Sequence, residues 1–219
     1  MTSASASKGS LSDLQHLFTQ DPDLRCLSVE EMAQLSGMSE RRREQFALGR
    51  TALRTLVGGI LDLPAAKVPL WVSNSGAPIL EGGLLHLSLS HSGNGALATA
   101  APMPIGCDLE APPRRPRDAL ALAERFFHPS EARLLRETPE DLRQILFLRL
   151  WTRKEAAFKC GALDWPQSLL HPWKEGPNTL EPGSLDISTP EGLPEGWAGS
   201  IAVWTPVRHK DVHAADPES

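Results

Sequence analysis

Two acidic side chains alternate at the end of a short apolar segment near the middle of the chain. Residues 105–109 are predicted to form a β-strand, and Asp108 and Glu110 lie two positions apart on it. Side chains two residues apart on a strand point to the same face, so both carboxylates face the same way. Mg²⁺ binds one or two carboxylates together with water and substrate phosphates. The pair is a candidate magnesium site, and a solvated strand end is the alternative.

A second candidate site lies at the end of a predicted helix, in residues 151–159. Helical spacing puts Lys154 and Glu155 on one side and Lys159 one turn beyond Glu155, so an acid is framed by two bases. This arrangement suits a polyphosphate ligand, because Glu155 can complete a metal site while the lysines neutralise phosphate oxygens. The alternative is an amphipathic helix with a surface pair between Glu155 and Lys159.

A third candidate is the sequence Ser-His-Ser at residues 90–92, which ends a predicted strand and enters a Gly-Asn-Gly turn. Side chains and backbone N–H groups at such a turn can face a ligand, and His91 can donate a hydrogen bond to a phosphate. A serine nucleophile is a weaker interpretation, because the chain has no G-x-S-x-G elbow. The remaining alternative is a turn histidine bonded to the backbone.

Helices and strands must hold these candidates in place. Hydrophobic periodicity predicts long helices at residues 39–61 and about 140–159, and a further helix from about Asp118. Short apolar runs between Gly, Asn and Ser clusters predict strands at residues 70–72, 84–90, 96–101, 105–109 and 200–204. The first three of these strands are expected in one sheet.

The chain also contains a weak internal sequence repeat. Residues 46–64 and 147–166 share an initial Phe, a glycine and an Asp-x-Pro ending, which hints at two structurally similar halves. The expected organisation is a disordered N-terminus at 1–10, an N-terminal half at 11–103, a C-terminal half with the metal site at 104–207, and a disordered tail at 208–219.

Composition excludes several classes of protein. The net charge of −5 gives no bulk basic field, so neither nucleic acid nor a membrane is an expected partner. The three cysteines have no metal-binding spacing and are expected as free thiols. No apolar run reaches the roughly 18 residues of a membrane span, and the N-terminus has no hydrophobic signal core, so a cytoplasmic location is expected.

Taken in order, four motifs resemble those of the Sfp-type 4′-phosphopantetheinyl transferases. Residues 106–110 (Gly-Cys-Asp-Leu-Glu) resemble the family's G-x-D-x-E, and residues 151–159 (Trp-Thr-Arg-Lys-Glu-Ala-Ala-Phe-Lys) resemble its W-x-x-K-E-A-x-x-K. Ser-His-Ser at 90–92 resembles the upstream S-H-S element, and residues 126–131 (Phe-Phe-His-Pro-Ser-Glu) resemble F-F-x-x-x-E. The arginine-rich helix around Arg50 extends the likeness towards the N-terminus.

The resemblance implies an α+β fold of two similar halves with the active site in the cleft between them. It implies transfer of the 4′-phosphopantetheine group of coenzyme A to a serine of an apo acyl, peptidyl or aryl carrier protein, with release of 3′,5′-ADP. The implied Mg²⁺ ligands are Asp108, Glu110 and Glu155. The implied coenzyme-binding residues are Arg50, Ser90, His91, Asp108, Lys154 and Lys159, and the implied catalytic residues are Glu131, Glu155 and Lys159. Glu131 is the candidate base for the carrier serine.

The chain departs from the family pattern at two places. Residues 76–78 read Gly-Ala-Pro where many members have Gly-Lys-Pro, so Ala77 stands in place of a coenzyme-facing lysine. Residues 160–165 contain a single glycine where the family commonly has a glycine-rich turn. Arg114, Arg115 and Arg117 are candidates for docking an acidic carrier protein; a solvated linker is the alternative.

Two other functions compete with the transferase. One is a magnesium-dependent phosphate-ester hydrolase that uses the same acids and lysines and needs no carrier. The other is a catalytically silent module that binds coenzyme A or a carrier protein. Three acids and two lysines argue against a pure binder, which has little need of a metal site. The resemblance also favours a monomer, since both halves of the site would lie in one chain.

Overall fold

The computed structural model describes residues 13–74, 76–113 and 118–206, and it has the α+β architecture expected from the sequence. In the first part of the chain, a long helix covers a small sheet. The elements are β1 (Gln15–Thr19), α1 (Val29–Gln34), α2 (Glu40–Leu61), β2 (Leu70–Val72), β3 (Pro78–Leu80), β4 (His86–Ser92) and β5 (Gly95–Ala101), with short 3-10 turns at Leu24–Cys26, Leu35–Gly37 and Ala65–Lys67. Strand β5 lies between β1 and β4 in an antiparallel sheet.

Helix α2 packs on this sheet through one apolar face. Leu48, Leu53 and Val57 are buried in a cluster with the alanines of β5. These small strand residues let the helix approach closely. At Gly49 an added Cβ would lie 3.0 Å from a methyl group of Leu89, so the glycine leaves room for β4 beneath the helix. Burial of this face is what stabilises α2, because isolated helices gain little from propensity alone.

In the second part of the chain, a long helix packs on a four-stranded antiparallel sheet with the order β6-β9-β8-β7. The elements are β6 (Ile105–Glu110), α3 (Ala119–Phe126), α4 (Pro129–Glu137), α5 (Glu140–Lys159), α6 (Trp165–Leu170), β7 (Gly176–Leu180), β8 (Gly183–Ser188) and β9 (Ala198–Pro206). Helix α5 contacts β6 and β9, and α3 and α4 pack beside it. The two long predicted helices are thus the ones that cover the sheets.

The two sheets meet where β4 lies beside β6. Both strands run in the same direction, and β5 also contacts β6. Leu97, Cys107, Leu109 and Ile201 are buried in the core between the sheets. The strand with the Ser-His-Ser sequence is therefore the neighbour of the strand with the two acids.

One sheet prediction is wrong. Residues 70–72 form β2, which pairs with β3 in a separate two-stranded sheet and does not join β4 and β5. The sequence also did not indicate β1, β3, β7 or β8. Strand β7 contains Pro177 and Asn178, residue types that are depleted in strands, so composition alone does not identify it.

The similarity of the two halves stays a prediction, because the sheets differ in strand number and order. The boundary near residue 103 is likewise untested. The expected disordered ends, residues 1–10 and 208–219, lie outside the residues that the structure describes. Among the helices in the described ranges, none is long and apolar enough to cross a membrane.

Candidate active site

Gly106 lets the last turn of α5 lie directly on β6. A Cβ at this position would be 2.1 Å from the Ala156 carbonyl oxygen and 2.4 Å from the Cys160 amide nitrogen, so no side chain fits. The helix backbone therefore crosses the strand two residues before Asp108. This close approach brings the acidic and basic side chains at the end of α5 to the carboxylates of β6.

The Asp108 carboxylate is the centre of the candidate site and is only 5% exposed. Its Oδ1 accepts hydrogen bonds from Lys159 Nζ at 2.7 Å and from Ser90 Oγ at 2.8 Å. Its Oδ2 is buried and has no hydrogen-bond partner within the described part of the chain. Because a buried polar atom without a partner costs free energy, this oxygen is the atom at which a cation would be most favourable.

Two further carboxylates share the electrostatic surroundings of Asp108. Burial raises the pKa of Glu155, and the charges of Asp108 and Glu110 raise it further, while Lys159 opposes the shift. Glu110 is held by Ser92, whose Oγ donates a hydrogen bond to its Oε2 at 3.2 Å. The structure therefore brings Asp108 and Glu110 close enough to Glu155 for their charges to raise its pKa.

Lys159 offsets part of this negative charge. Burial alone would lower its pKa, but the charge and hydrogen bond of Asp108 outweigh that effect and raise the pKa, so the ammonium stays protonated. The side chain is still 30% exposed. It can therefore contact a bound anion as well as Asp108.

The donor set suits a hard divalent cation such as Mg²⁺. Asp108, Glu110 and Glu155 offer carboxylate oxygens, and Asp108 Oδ2 lacks a partner among the described residues. Within residues 13–74, 76–113 and 118–206, no three His, Cys, Asp or Glu side chains are already spaced to hold a metal ion. The Lys159 ammonium lies against Asp108 Oδ1 instead. The residues fit Mg²⁺ in their chemistry but are not arranged as a closed ligand set.

Glu131 and Lys154 lie apart from this cluster, among the helices. Lys154 is 0% exposed, and its Nζ donates to Glu131 Oε2 at 2.7 Å and to the His171 carbonyl at 2.9 Å. The Nζ also lies 4.7 Å from the centre of the Phe127 ring. Burial raises the pKa of Glu131 and lowers that of Lys154, each against the attraction of the other. The structure thus pairs Lys154 with Glu131 away from the acids of β6, and the phosphate contact of Lys154 and the proton transfer to Glu131 stay predictions.

The geometry of the α-helix explains why Lys154 and Glu155 separate. Consecutive residues differ by about 100° around the helix axis, so the two side chains leave α5 in different directions. Lys154 points to α4, where Glu131 lies, and Glu155 points to the acids of β6. Of the two lysines expected to frame Glu155, Lys159 therefore lies at the acids of β6, and Lys154 lies at α4.

A cleft of about 920 Å³ is bordered by α1, α2, β2 and β4. Arg50 and His91, which were expected to bind the coenzyme, both line it. Strand alternation turns His91 to the cleft and its neighbours Ser90 and Ser92 to the acids of β6. Strand β4 therefore connects the cleft with the acid cluster, which consists of Asp108, Glu110 and Glu155.

The cleft is rich in basic and aromatic side chains, among them Arg42, Phe46, Arg50, Arg54, Lys67, Trp71 and His91. Glu31 holds two of the arginines, since Arg54 Nε donates to it at 2.6 Å and Arg50 Nε lies 3.2 Å from it. Arg42 and Lys67 also line the cleft and were not among the site residues predicted from the sequence. The run of arginines in α2 was the signal that could have identified Arg42. Arg114, Arg115 and Arg117 lie outside the described residues.

Comparison with known proteins confirms the resemblance drawn from the motifs. Residues 104–182 match a family model described as the 4′-phosphopantetheinyl transferase superfamily. The chain is 41% identical over 140 residues to the 4′-phosphopantetheinyl transferase HetI of Nostoc sp., covering 61% of this chain and 58% of that protein. It is 32% identical over 113 residues to the 4′-phosphopantetheinyl transferase psf-1 of Bacillus pumilus, covering 51% and 47%.

A 4′-phosphopantetheinyl transferase of Bacillus subtilis is 29% identical over 143 residues, which cover 59% of this chain and 62% of that protein. The chain thus spans about half to three-fifths of the length of the curated relatives it matches. The matched family region contains Asp108, Glu110, Glu155 and Lys159, the residues of the acid cluster and its lysine.

Proposed function

We propose that this chain, which is similar to the 4′-phosphopantetheinyl transferases, moves the 4′-phosphopantetheine group of coenzyme A to a serine of an apo acyl, peptidyl or aryl carrier protein and releases 3′,5′-ADP. The observation that carries the proposal is the double role of β4. Its His91 lines a basic cleft, and its Ser90 and Ser92 contact the acids of β6. A nucleotide site and a cation site on a pyrophosphate would therefore lie side by side.

The cleft supports a nucleotide ligand. Its volume of about 920 Å³ falls within the roughly 300–1,000 Å³ of small-molecule sites. Arg42, Lys67 and His91 offer donors to phosphate oxygens, and Phe46 and Trp71 offer aromatic surface to a base. The basic groups on α2 and near β2 would compensate for the lysine that Ala77 replaces.

In this reaction the carrier serine oxygen loses its proton to solvent and forms a bond to the phosphorus that bears pantetheine, and the bond from that phosphorus to the oxygen of 3′,5′-ADP breaks. Mg²⁺ held by Asp108, Glu110 and Glu155 would supply charge stabilisation at the pyrophosphate. Lys159 would neutralise a neighbouring phosphate oxygen, and His91 and Arg50 would orient the 3′-phosphoadenosine end. Reactions of this kind depend mainly on positioning and charge stabilisation.

The test is the intact mass of an apo carrier protein incubated with the chain, coenzyme A and Mg²⁺. We expect a gain of one phosphopantetheine group, and loss of that gain when EDTA removes the metal. A carrier whose acceptor serine is replaced by alanine is the control. No gain on acyl, peptidyl and aryl carriers, with coenzyme binding intact, would contradict the proposal and favour the silent binding module.

A second assay separates the transferase from a hydrolase. Release of 3′,5′-ADP should require the carrier protein, because the carrier serine is the nucleophile. Release at the same rate without any carrier would favour a magnesium-dependent hydrolase. The choice of carrier, a monomeric state and a cytoplasmic location remain predictions from the sequence.

Arg42→Ala is expected to raise the half-saturating concentration of coenzyme A about tenfold. The side chain lines the cleft, and a charge-assisted hydrogen bond contributes roughly 1.5–3 kcal/mol. Arg41→Ala is the matched control, since Arg41 is the preceding residue of α2 and does not line the cleft. The measurement is the transfer rate as a function of coenzyme concentration. An equal effect of both substitutions would remove Arg42 from the coenzyme site.

A further inference from the structure

Three serines of β4 form a regular seam with β6. They occupy every second position of β4, and each hydroxyl accepts a hydrogen bond from a backbone N–H at every second position along β6 and just beyond it. The pairs are Cys107 N to Ser88 Oγ at 3.0 Å, Leu109 N to Ser90 Oγ at 3.2 Å, and Ala111 N to Ser92 Oγ at 3.0 Å. The seam therefore replaces a backbone ladder where the two sheets meet.

Two of the three serines have a second contact in the same pattern. Ser90 Oγ donates to Asp108 Oδ1 at 2.8 Å, and Ser92 Oγ donates to Glu110 Oε2 at 3.2 Å. A serine hydroxyl has one proton and two lone pairs. Because a lone pair already accepts the backbone N–H, the proton is directed to the carboxylate one residue earlier on β6. Ser90 and Ser92 thus each bond a backbone N–H and an acidic side chain of the same strand.

Ser88 lacks the second contact because of the sequence of β6. The residue that corresponds to Asp108 and Glu110 in the pattern is Gly106, which has no side chain. Ser88 therefore keeps the same backbone bond without an acid to hold. Ser88 is therefore an internal control, because it makes the backbone contact between the sheets without a contact to an acid.

The serine contacts determine which carboxylate oxygens of Asp108 and Glu110 already accept a hydrogen bond. At Asp108, the Ser90 hydroxyl and the Lys159 ammonium both bond Oδ1, and Oδ2 is the buried atom without a partner among the described residues. Lys159 Nζ also lies 3.3 Å from Ser90 Oγ, which joins the three groups into one network. A carboxylate held in this way keeps a fixed orientation, which preorganises it for a ligand.

We propose that Ser90 and Ser92 are positioning residues, which orient the Asp108 and Glu110 carboxylates for a divalent cation and lock that pair to the strand that borders the cleft. This inference rests on the proposed function, because it concerns the cation site of the same reaction. Removal of either hydroxyl takes away one of the hydrogen bonds that hold the carboxylate in its orientation. Ligand partners of this kind typically contribute about tenfold to a hundredfold in metal affinity.

The test is Mn²⁺ binding to the full chain with coenzyme A present, followed by loss of the free-ion electron paramagnetic resonance signal. Coenzyme A alone is the blank, and Mg²⁺ competition identifies the site. We expect Ser90→Ala and Ser92→Ala to weaken Mn²⁺ binding about tenfold or more. Ser88→Ala should leave the affinity unchanged, although it removes a backbone contact of the same kind. Ser92→Thr, which restores the hydroxyl, should recover the affinity.

Four results would overturn the inference. If Ser88→Ala weakened Mn²⁺ binding as much as the other two substitutions, all three serines would have only a structural role between the sheets. Unchanged affinity in Ser92→Ala would lead to the same conclusion, and this half-buried position keeps the test decisive if Ser90→Ala fails to fold. Absence of Mn²⁺ binding in the parent chain, together with absence of carrier modification, would overturn the proposed function as well. Metal binding in the parent that no serine substitution changes would overturn the inference alone.

Discussion

Asp108→Asn is expected to lower the rate of carrier modification by at least about a hundredfold, while the fold is retained. The asparagine Oδ1 can still accept the hydrogen bonds of Ser90 and Lys159. The substitution therefore changes mainly the other end of the side chain, where the buried Oδ2 becomes an amide nitrogen. An amide nitrogen does not bind Mg²⁺, and loss of metal-based charge stabilisation costs several kcal/mol in the transition state.

The expected cost to the fold is smaller. A buried amide N–H without an acceptor costs about 1–3 kcal/mol, and urea unfolding would measure that loss. Asp186→Asn is the matched control, because Asp186 is an exposed acid on β8 of the same sheet. It should change neither rate nor stability. Transfer at a nearly normal rate by a folded Asp108→Asn variant would show that Oδ2 has no part in the reaction.

The acid cluster is the part of the site that sequence patterns could predict. A strand period of two places Asp108 and Glu110 on one face, and a helical period places Lys159 one turn from Glu155. Both periods depend on local backbone geometry, which the sequence specifies well. The structure adds why the helix and strand meet at this point, since Gly106 leaves no room for a side chain between them.

The partners of Lys154 and Ser90 could not be predicted in the same way. Periodicity tells which side of an element a residue occupies, but not which element packs against that side. Lys154 lies on a face of α5 that α4 covers, and Ser90 lies on a face of β4 that β6 covers. Both packings join segments that are distant in sequence, and short motifs contain no information on such contacts. Strand β7, with its proline and asparagine, shows the same limit for a sheet.

Lys154→Met is expected to lower the free energy of unfolding by about 3–5 kcal/mol, because removal of one partner leaves the other charge buried and uncompensated. The remaining group would be Glu131, which is 5% exposed and has its Oε1 without a hydrogen-bond partner among the described residues. The measurement is urea unfolding followed by tryptophan fluorescence. Arg136→Met is the matched control, since it breaks the exposed pair with Glu124 and should cost at most about 1 kcal/mol.

The double variant Glu131→Gln/Lys154→Met should regain part of the lost stability. Glutamine has no charge to bury, and it can still accept the His128 N–H that Glu131 Oε2 accepts at 3.3 Å, so the capping box of α4 is retained. A double variant that is no more stable than Lys154→Met alone would show that the charge of Glu131 is not the source of the loss.

The same double variant decides between two roles for Lys154. If its ammonium bound a phosphate of coenzyme A, as the motif implied, the half-saturating coenzyme concentration would rise even where stability recovers. The buried ion pair with Glu131 instead predicts that this concentration stays close to that of the parent chain, because Lys154 Nζ already donates to Glu131 and to the His171 carbonyl. Lys159→Met should raise it, since Lys159 is the lysine of the motif that remains partly exposed beside Asp108. If the double variant raised the half-saturating coenzyme concentration and Lys159→Met did not, the phosphate contact would belong to Lys154. Coenzyme binding would then have to break the buried pair of Lys154 and Glu131.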